Sequence, residues 1–299
     1  MRRIWLILCL CLALLWGQSA LAQTQNADNY LDYGKAVAAL SQLAPKGTSS
    51  ADIAASRLLL RASEPLEDLE DYGPLSVVAG PGHRYTLQFA TPAEAQACME
   101  ALAQDSRIKY LHPDALVSLD EAEAEADQPT LEQAKLAAKA DSPYMSWGAK
   151  AMGADELAAS ITRSGSVTVA VVDSGVVKHS FLDGRVRLGG VDFVDSENTD
   201  GRQDGNGHGT HVAGTIVDLT QGLKVYILPV RTMNDQGIGY NSSIVNGIFY
   251  AADSGAQVIN LSLGGALSTA YGQDSVYTDA INYAQSQGAV VVVAAGNDN

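Results

Sequence analysis

From Tyr85 onward the apolar positions of the chain change period twice. Tyr85, Leu87 and Phe89 alternate with polar residues, a period of two that predicts a strand with one buried face. Thr91-Pro92-Ala93-Glu94 then supplies an N-cap, a proline at the first helical position and a capping glutamate, so a helix starts at Thr91. Ala95, Cys98, Met99 and Leu102 follow at helical spacing, and Ile108 to Leu111 returns as a strand that ends at His112-Pro113-Asp114. The expectation is a small β-α-β module over about 85–117. Cys98 reads as one of its buried helix positions, as free cysteines usually are. Residues 26–80, Ala- and Leu-rich with scattered Gly and Pro, are assigned only loosely to short helices and strands.

Beyond Trp147 the texture changes to apolar runs that alternate with helical patterns. Val167–Val172, Val225–Val230, Gln257–Leu263 and Ala289–Ala295 have the continuous hydrophobicity of parallel strands covered on both faces. Between them Ile244, Ile248, Ala251 and Ala252 line one helical face after a Ser242-Ser243 cap, and Val276, Ala280 and Ala284 line another. The alternation predicts an α/β domain with a doubly wound parallel sheet, preceded by a small α+β domain.

Charge and cysteine content narrow the function classes. Thirty-four Asp and Glu against 19 Lys and Arg give a formal net charge of -15, which repels a phosphate backbone, so nucleic acid is not an expected partner. Of the 3 cysteines, Cys9 and Cys11 lie in the N-terminal apolar run, and the single Cys98 left over can form neither an intramolecular disulfide nor a Cys-rich zinc site. Arg2 and Arg3 precede the uncharged run Ile4–Trp16, and Ala20-Leu21-Ala22 follows in the small-x-small pattern that signal peptidase cleaves. The run falls short of the ~20 residues that span a bilayer. The reading is export, with residues 1–22 a signal peptide, no stable membrane anchor, and a secreted or extracytoplasmic location. Residues 23–119 then form an N-terminal region that holds the β-α-β module, the acidic run Asp120–Asp127 opens a solvated linker over 120–145, and 146–299 form the α/β domain.

In an open parallel sheet the reactive groups gather at the carboxyl ends of the strands. Asp173 ends the first run and enters a Ser174-Gly175 turn; an isolated strand-ending Asp is commoner than a catalytic one. Asp204 to Gly214, DGNGHGTHVAG, sets His208 among glycines just before an apparent helix start at Thr210–Val212. His208 and His211 also admit a metal reading, but with no cysteine nearby and no glutamate between them zinc is the weaker one. Asn260 to Gly265, NLSLGG, ends the third run with a polar, glycine-rich edge suited to main-chain pairing with an extended ligand, or to a simple turn. Ala294-Ala295-Gly296-Asn297 ends the fourth with an amide donor of the kind that stabilises an oxyanion, although an isolated Gly-Asn is more often a turn.

Taken together and in this order, DSG, GHGTHVAG, SLGG and AAGN resemble the motifs of the subtilisin-like serine peptidases, from about Trp147 to the last residue. The resemblance implies Asp173 as the orienting acid, His208 as the general base and Asn297 as the oxyanion donor. It implies Ser262, Leu263 and Gly264 as the substrate-pairing strand, with Gly239 in the opposite one. The module from Tyr85 to Val117 is similar to the family's pro-domain, a β-α-β fold that assists folding and inhibits the enzyme until it is cleaved away. The implied partners are peptide or protein substrates and the chain's own pro-domain, and no cofactor is called for.

Two departures qualify the likeness. The family's serine lies downstream of the oxyanion asparagine in a Gly-Thr-Ser-x-Ala turn. Here the only Gly-Thr-Ser is Gly47-Thr48-Ser49, upstream of Asp173, so the nucleophile is expected beyond Asn299 and the chain as given is expected to be inactive alone. Asp183 matches one calcium ligand of many family members, but the short path from Thr215 to Val225 leaves no room for their calcium loop, and no metal is assigned. The alternative function is a non-catalytic peptide-binding or protease-inhibiting protein that has lost the nucleophile.

Overall fold

Strand β1 (Arg57–Ala62) explains how the N-terminal module is built, because its two faces have different partners. The structure, a computed structural model, describes residues 32–44, 46–119, 145–161, 165–195, 200–264 and 274–295. The signal-peptide segment 1–22, all but the last residue of the linker at 120–145, and Asn297 lie outside them. Helix α1 (residues 32–39) comes first, then α2 (Ser50–Ala55), which Ser49 caps by accepting the Asp52 N–H. Strands β1, β2 (Ser76–Gly80), β3 (Arg84–Gln88) and β4 (Ile108–Pro113) form an antiparallel sheet of order β2-β3-β1-β4. Leu58, Leu60 and Ala62 of β1, with Tyr85 and Leu87 of β3, pack on α3 (Pro92–Leu102) through Ala95, Cys98 and Leu102. Thr91 caps α3 as expected, accepting the Glu94 N–H at 3.3 Å. Burial pushes the Cys98 thiol up to about 11, which keeps it protonated and unreactive near neutral pH.

The other face of the same sheet carries Arg57, Leu59 and Arg61 on β1 and Arg84 and Thr86 on β3. It rests on the second unit, where Leu59 and Tyr110 join the main core. That unit opens with α4 (Trp147–Ala151) and α5 (Ala154–Ser160) and has a five-stranded sheet of order β11-β10-β6-β8-β7, parallel throughout. Its strands are β6 (Val167–Asp173), β7 (Val191–Asp192), β8 (Val225–Arg231), β10 (Val258–Leu261) and β11 (Val290–Val293). The four expected runs are all strands. The two-residue β7 was not anticipated, since two residues carry no period. Helix α6 (His208–Leu219) packs with β6, while α7 (Asn241–Asp253) and α8 (Asp274–Ser286) lie against each other and bury Ile244, Ile248, Ala251, Val276, Ala280 and Ala284. Helices on both faces of a parallel sheet make this a doubly wound α/β fold.

The two units meet at charged groups withdrawn from water. Arg57, with no exposed surface, pairs with Asp114 at 3.2 Å, donates to Gln88 and lies over the Tyr240 ring. Asp114 in turn accepts the Ser242 N–H at 3.0 Å and its hydroxyl at 2.7 Å. The Ser242-Ser243 cap expected for α7 is therefore not the cap. Both serines lie inside the first turn, and the N-cap residue Tyr240 makes no capping bond, so Asp114 of the N-terminal module supplies the acceptor. Arg84 lies 4.0 Å from the Phe249 ring centroid and, with Arg61, pairs with Asp279 of α8.

Breaking a buried pair from one side leaves an uncompensated charge. Asp114→Ala is expected to cost about 3 to 5 kcal/mol by denaturant unfolding. The double replacement Arg57→Met with Asp114→Leu is expected to recover most of that loss, because it removes both charges together. A double variant as unstable as the single one would show that packing, not charge, holds the site.

Candidate functional site

Asp173 is carried to the carboxyl end of β6, the middle strand of the sheet, by a run whose other residues after Val167 are all buried. Its carboxylate has no exposed surface. Oδ1 accepts the Ser174 N–H at 2.7 Å and lies 2.7 Å from His208 Nδ1, while Oδ2 is buried with no hydrogen-bond partner among the described residues. A carboxylate has no proton to give, so the proton of this bond sits on Nδ1 and leaves Nε2 as the basic nitrogen of the neutral ring. The imidazole keeps about a third of its surface in solvent, with side-chain exposure of 34%. The hydrogen bond to Asp173 raises the His208 pKa, against the opposing effect of burial, and the charges of Asp173 and Asp204 raise it further.

The glycines around His208 have separable jobs. Gly207 precedes α6 at φ 94°, a left-handed turn that brings the helix start to His208, two residues before the expected Thr210. A Cβ on Gly209 would stand 2.2 Å from the Gly175 carbonyl oxygen, so only glycine lets the helix end close on the Asp173 turn. His211, one turn further on, is exposed. Among the described residues no group of three His, Cys, Asp or Glu side chains is placed to hold a metal ion.

Gly239 lies in β9 (Ile238–Tyr240), which pairs antiparallel with β5 (Leu116–Ser118) at the end of the N-terminal module, with Val117 opposite Gly239. The main-chain bonds Leu119 N–H to Gly237 O at 2.7 Å and Asn241 N–H to Ala115 O at 2.9 Å extend the pairing on either side. Ser262, Leu263 and Gly264 follow β10 outside any helix or strand, with Leu263 buried and the Asn260 amide donating to Ser262 Oγ. Asp173 and His208 are thus brought into contact, while Gly239 lies in the short strand β9 after β8 and residues 262–264 lie in the segment that follows β10. Asn297 lies outside the described residues.

Two residues with no sequence-based assignment belong to the same surroundings. Arg231 sits opposite Asp173 in the parallel register; it donates to the Ser174 carbonyl at 3.1 Å, to Asp192 at 2.8 Å and to Asp235 at 2.8 Å. Ending the strand at Val230 hid it. Asp204, three residues before Gly207, is a capping type ahead of a helix, a signal that His208 overshadowed.

Residues 164–299 match the model of the subtilase family. The chain is 44% identical over 146 residues to thermitase of Thermoactinomyces vulgaris, covering 46% of this chain and 50% of that one. It is 33% identical over 219 residues to subtilisin-like protease 3 of Arthroderma benhamiae, covering 68% of this chain and 48% of the relative. The chain therefore spans about half the length of these curated relatives. In fold it is similar to fervidolysin from Fervidobacterium pennivorans, a keratinolytic enzyme related to subtilisin, with a TM-score of 0.60 and 24% identity over 84% of this chain and 41% of that one. Residues 164–299, with the motifs at the strand ends and the doubly wound sheet that carries them, thus form a domain of the subtilase family.

Proposed function

We propose that this chain is the N-terminal part of a secreted serine endopeptidase made as a zymogen, with Asp173 and His208 as acid and base of an Asp-His-Ser triad. The observation that carries the reading is the 2.7 Å bond between a fully buried carboxylate and a part-exposed imidazole. It fixes the ring in the tautomer that can take a proton at Nε2 and stabilises the imidazolium that results. The serine is expected in sequence beyond Asn299. Exposed Val290, Val292 and Val293 on the edge strand β11 support this, since an apolar parallel edge calls for a cover.

The reaction follows from those roles. His208 Nε2 removes the proton of the serine hydroxyl as its oxygen attacks the peptide carbonyl, and the Asn297 amide donates to the developing oxyanion. Collapse of the tetrahedral intermediate returns the proton from His208 to the leaving amine. Water then repeats the sequence on the acyl-enzyme. Substrate main chain pairs with Gly239 on one side and with residues 262–264 on the other. The β5–β9 pairing supports a zymogen, because Leu116–Ser118 occupies the backbone groups a substrate strand would use. Among the described residues no helix is long and apolar enough to cross a membrane, and export rests on residues 1–22.

The 299-residue chain should not hydrolyse peptides, and hydrolysis abolished by a serine-directed phosphonate would show a nucleophile elsewhere, with Ser49 to be tested first. In the chain extended to its serine, Asp173→Asn should keep the fold and lose about ten-thousandfold in kcat, because His208 would be held in the wrong tautomer. Asn297→Leu should lower kcat about a hundredfold to a thousandfold with KM nearly unchanged, on the scale measured for one such donor in this family. A tenfold or smaller drop would remove Asn297 from the machinery.

The pH dependence has a defined sign. His208 acts as a base only when neutral, so kcat/KM should rise with pH through a value above the ordinary 6.5, in the direction the Asp173 bond imposes. The stability contributed by the protonated pair is fully present below the unfolded value and is lost as pH rises through the raised one. Activity and that part of the stability should move in opposite directions over the same window, and an acid limb below 6.5 would contradict the raised pKa.

A further inference from the structure

The N-cap residue of helix α6 is Gly207, so the first turn has no side-chain cap from that position. Its donors are nevertheless satisfied. His208 N–H goes to Asn206 Oδ1 at 3.2 Å, Gly209 N–H to Ser174 Oγ at 2.9 Å, and Thr210 N–H to Asp204 Oδ2 at 2.9 Å. The Ser174 hydroxyl donates to Asp204 Oδ1 at 2.8 Å, and Gly207 N–H donates to the same oxygen at 2.7 Å. The Thr210 hydroxyl donates to Asp204 Oδ2 and accepts the Val177 N–H at 3.0 Å. Asp204 therefore takes four hydrogen bonds from three residues on the two elements that present the acid and the base. Ser174 is the residue immediately after Asp173, and Gly207 and Thr210 bracket His208 in sequence.

The need for such a device follows from Asp173 itself. Among the described residues the carboxylate is hydrogen-bonded through Oδ1 alone, to Ser174 N–H and to His208 Nδ1, so no hydrogen bond on Oδ2 helps to hold its orientation. A turn and a helix end that slid relative to each other would lengthen the 2.7 Å bond directly. We propose that Asp204 is a positioning residue for the Asp173–His208 pair, a clamp that ties the Asp173 turn through Ser174 to the start of α6 through Gly207 and Thr210. The inference rests on the serine-peptidase reading for its consequence in catalysis, but its geometry does not. Asp204 also acts on the base by its charge: the carboxylates facing His208 are Asp173 from β6 and Asp204 from the loop before α6, and both favour the imidazolium.

The test uses the 299-residue chain and nuclear magnetic resonance of the His208 ring, so it needs no nucleophile. In Asp204→Asn the shape is kept while the charge is lost and an amide N–H faces donors that had an acceptor. His208 is expected to titrate at lower pH than in the wild type, and an unchanged midpoint in a folded variant would overturn the clamp. Should that variant fail to fold, Ser174→Ala cuts the link to the Asp173 turn while leaving the Asp204 bonds to Gly207 and Thr210. The downfield Nδ1 proton resonance that reports the Asp173 bond is expected to weaken or move upfield, with the melting temperature nearly unchanged. The same resonance in wild type and variant would overturn the proposal. In the chain extended to its serine, Asp204→Asn should lose about a hundredfold in kcat with KM little altered, the scale on which a small misplacement acts. Absence of hydrolysis by the wild-type extended chain would sink the endopeptidase reading and leave the ring titration to judge the clamp.

Discussion

A carboxylate with no exposed surface, held at the end of the central strand, is the constraint from which the rest of the site follows. A polar group withdrawn from water needs hydrogen-bond donors in exchange. For Asp173 these are the Ser174 N–H and the His208 ring, and each demands a specific backbone course. The ring reaches Asp173 only if α6 begins at His208, which requires Gly207 in a left-handed turn and Gly209 against the Gly175 carbonyl. Arg231 then holds the Ser174 carbonyl from the neighbouring strand, and the acids Asp192 and Asp235 keep that guanidinium satisfied. The motif glycines and the charged residues around them are thus one solution to one desolvated group.

The sheet carries this arrangement because its strands are parallel and their carboxyl ends coincide. Asp173 and Arg231 are register partners on β6 and β8, and Asn260 on β10 stands opposite Val171. Side chains that follow these strands arrive at one edge without further design, which is why the chemistry collects there and not at the opposite end.

Much of this was legible in the residues. Long apolar runs give parallel strands because covered strands need no polar alternation, and all four runs proved to be strands. The DSG and GHGTHVAG segments stood out because glycine beside a titratable group has few structural excuses. The rest was hidden for physical reasons. Strand β1 reads Arg-Leu-Leu-Leu-Arg-Ala, and its arginines face a charged interface, so the period-two signal is scrambled by partners far away in sequence. The start of α7 looked self-capped by Ser242 and Ser243, but its acceptor, Asp114, lies 128 residues earlier. Arg231 and Asp204 touch the Asp173–His208 pair only through other residues; no local pattern marks Arg231, and the one that marks Asp204, a capping type ahead of a helix, says nothing of the pair.

The interface between the two units has a further property that follows from its desolvated charges. Arg57 and Asp114 are both almost wholly buried, and Arg84 keeps only 8% of its side chain in solvent beside Asp279. Full separation returns each of these groups to water. A half-opened interface, with Asp114 withdrawn from α7 and Arg57 still covered, would keep a charge buried and leave the first donors of α7 unpaired, a state worse than either end point. Hydrophobic contacts such as Leu59 and Tyr110 against the main core loosen gradually with distance, whereas unpaired buried charges do not tolerate intermediate positions. Separation of the two units should therefore be all-or-none, with the β5–β9 pairing surrendered in the same step that exposes Arg57, Arg84 and Asp114.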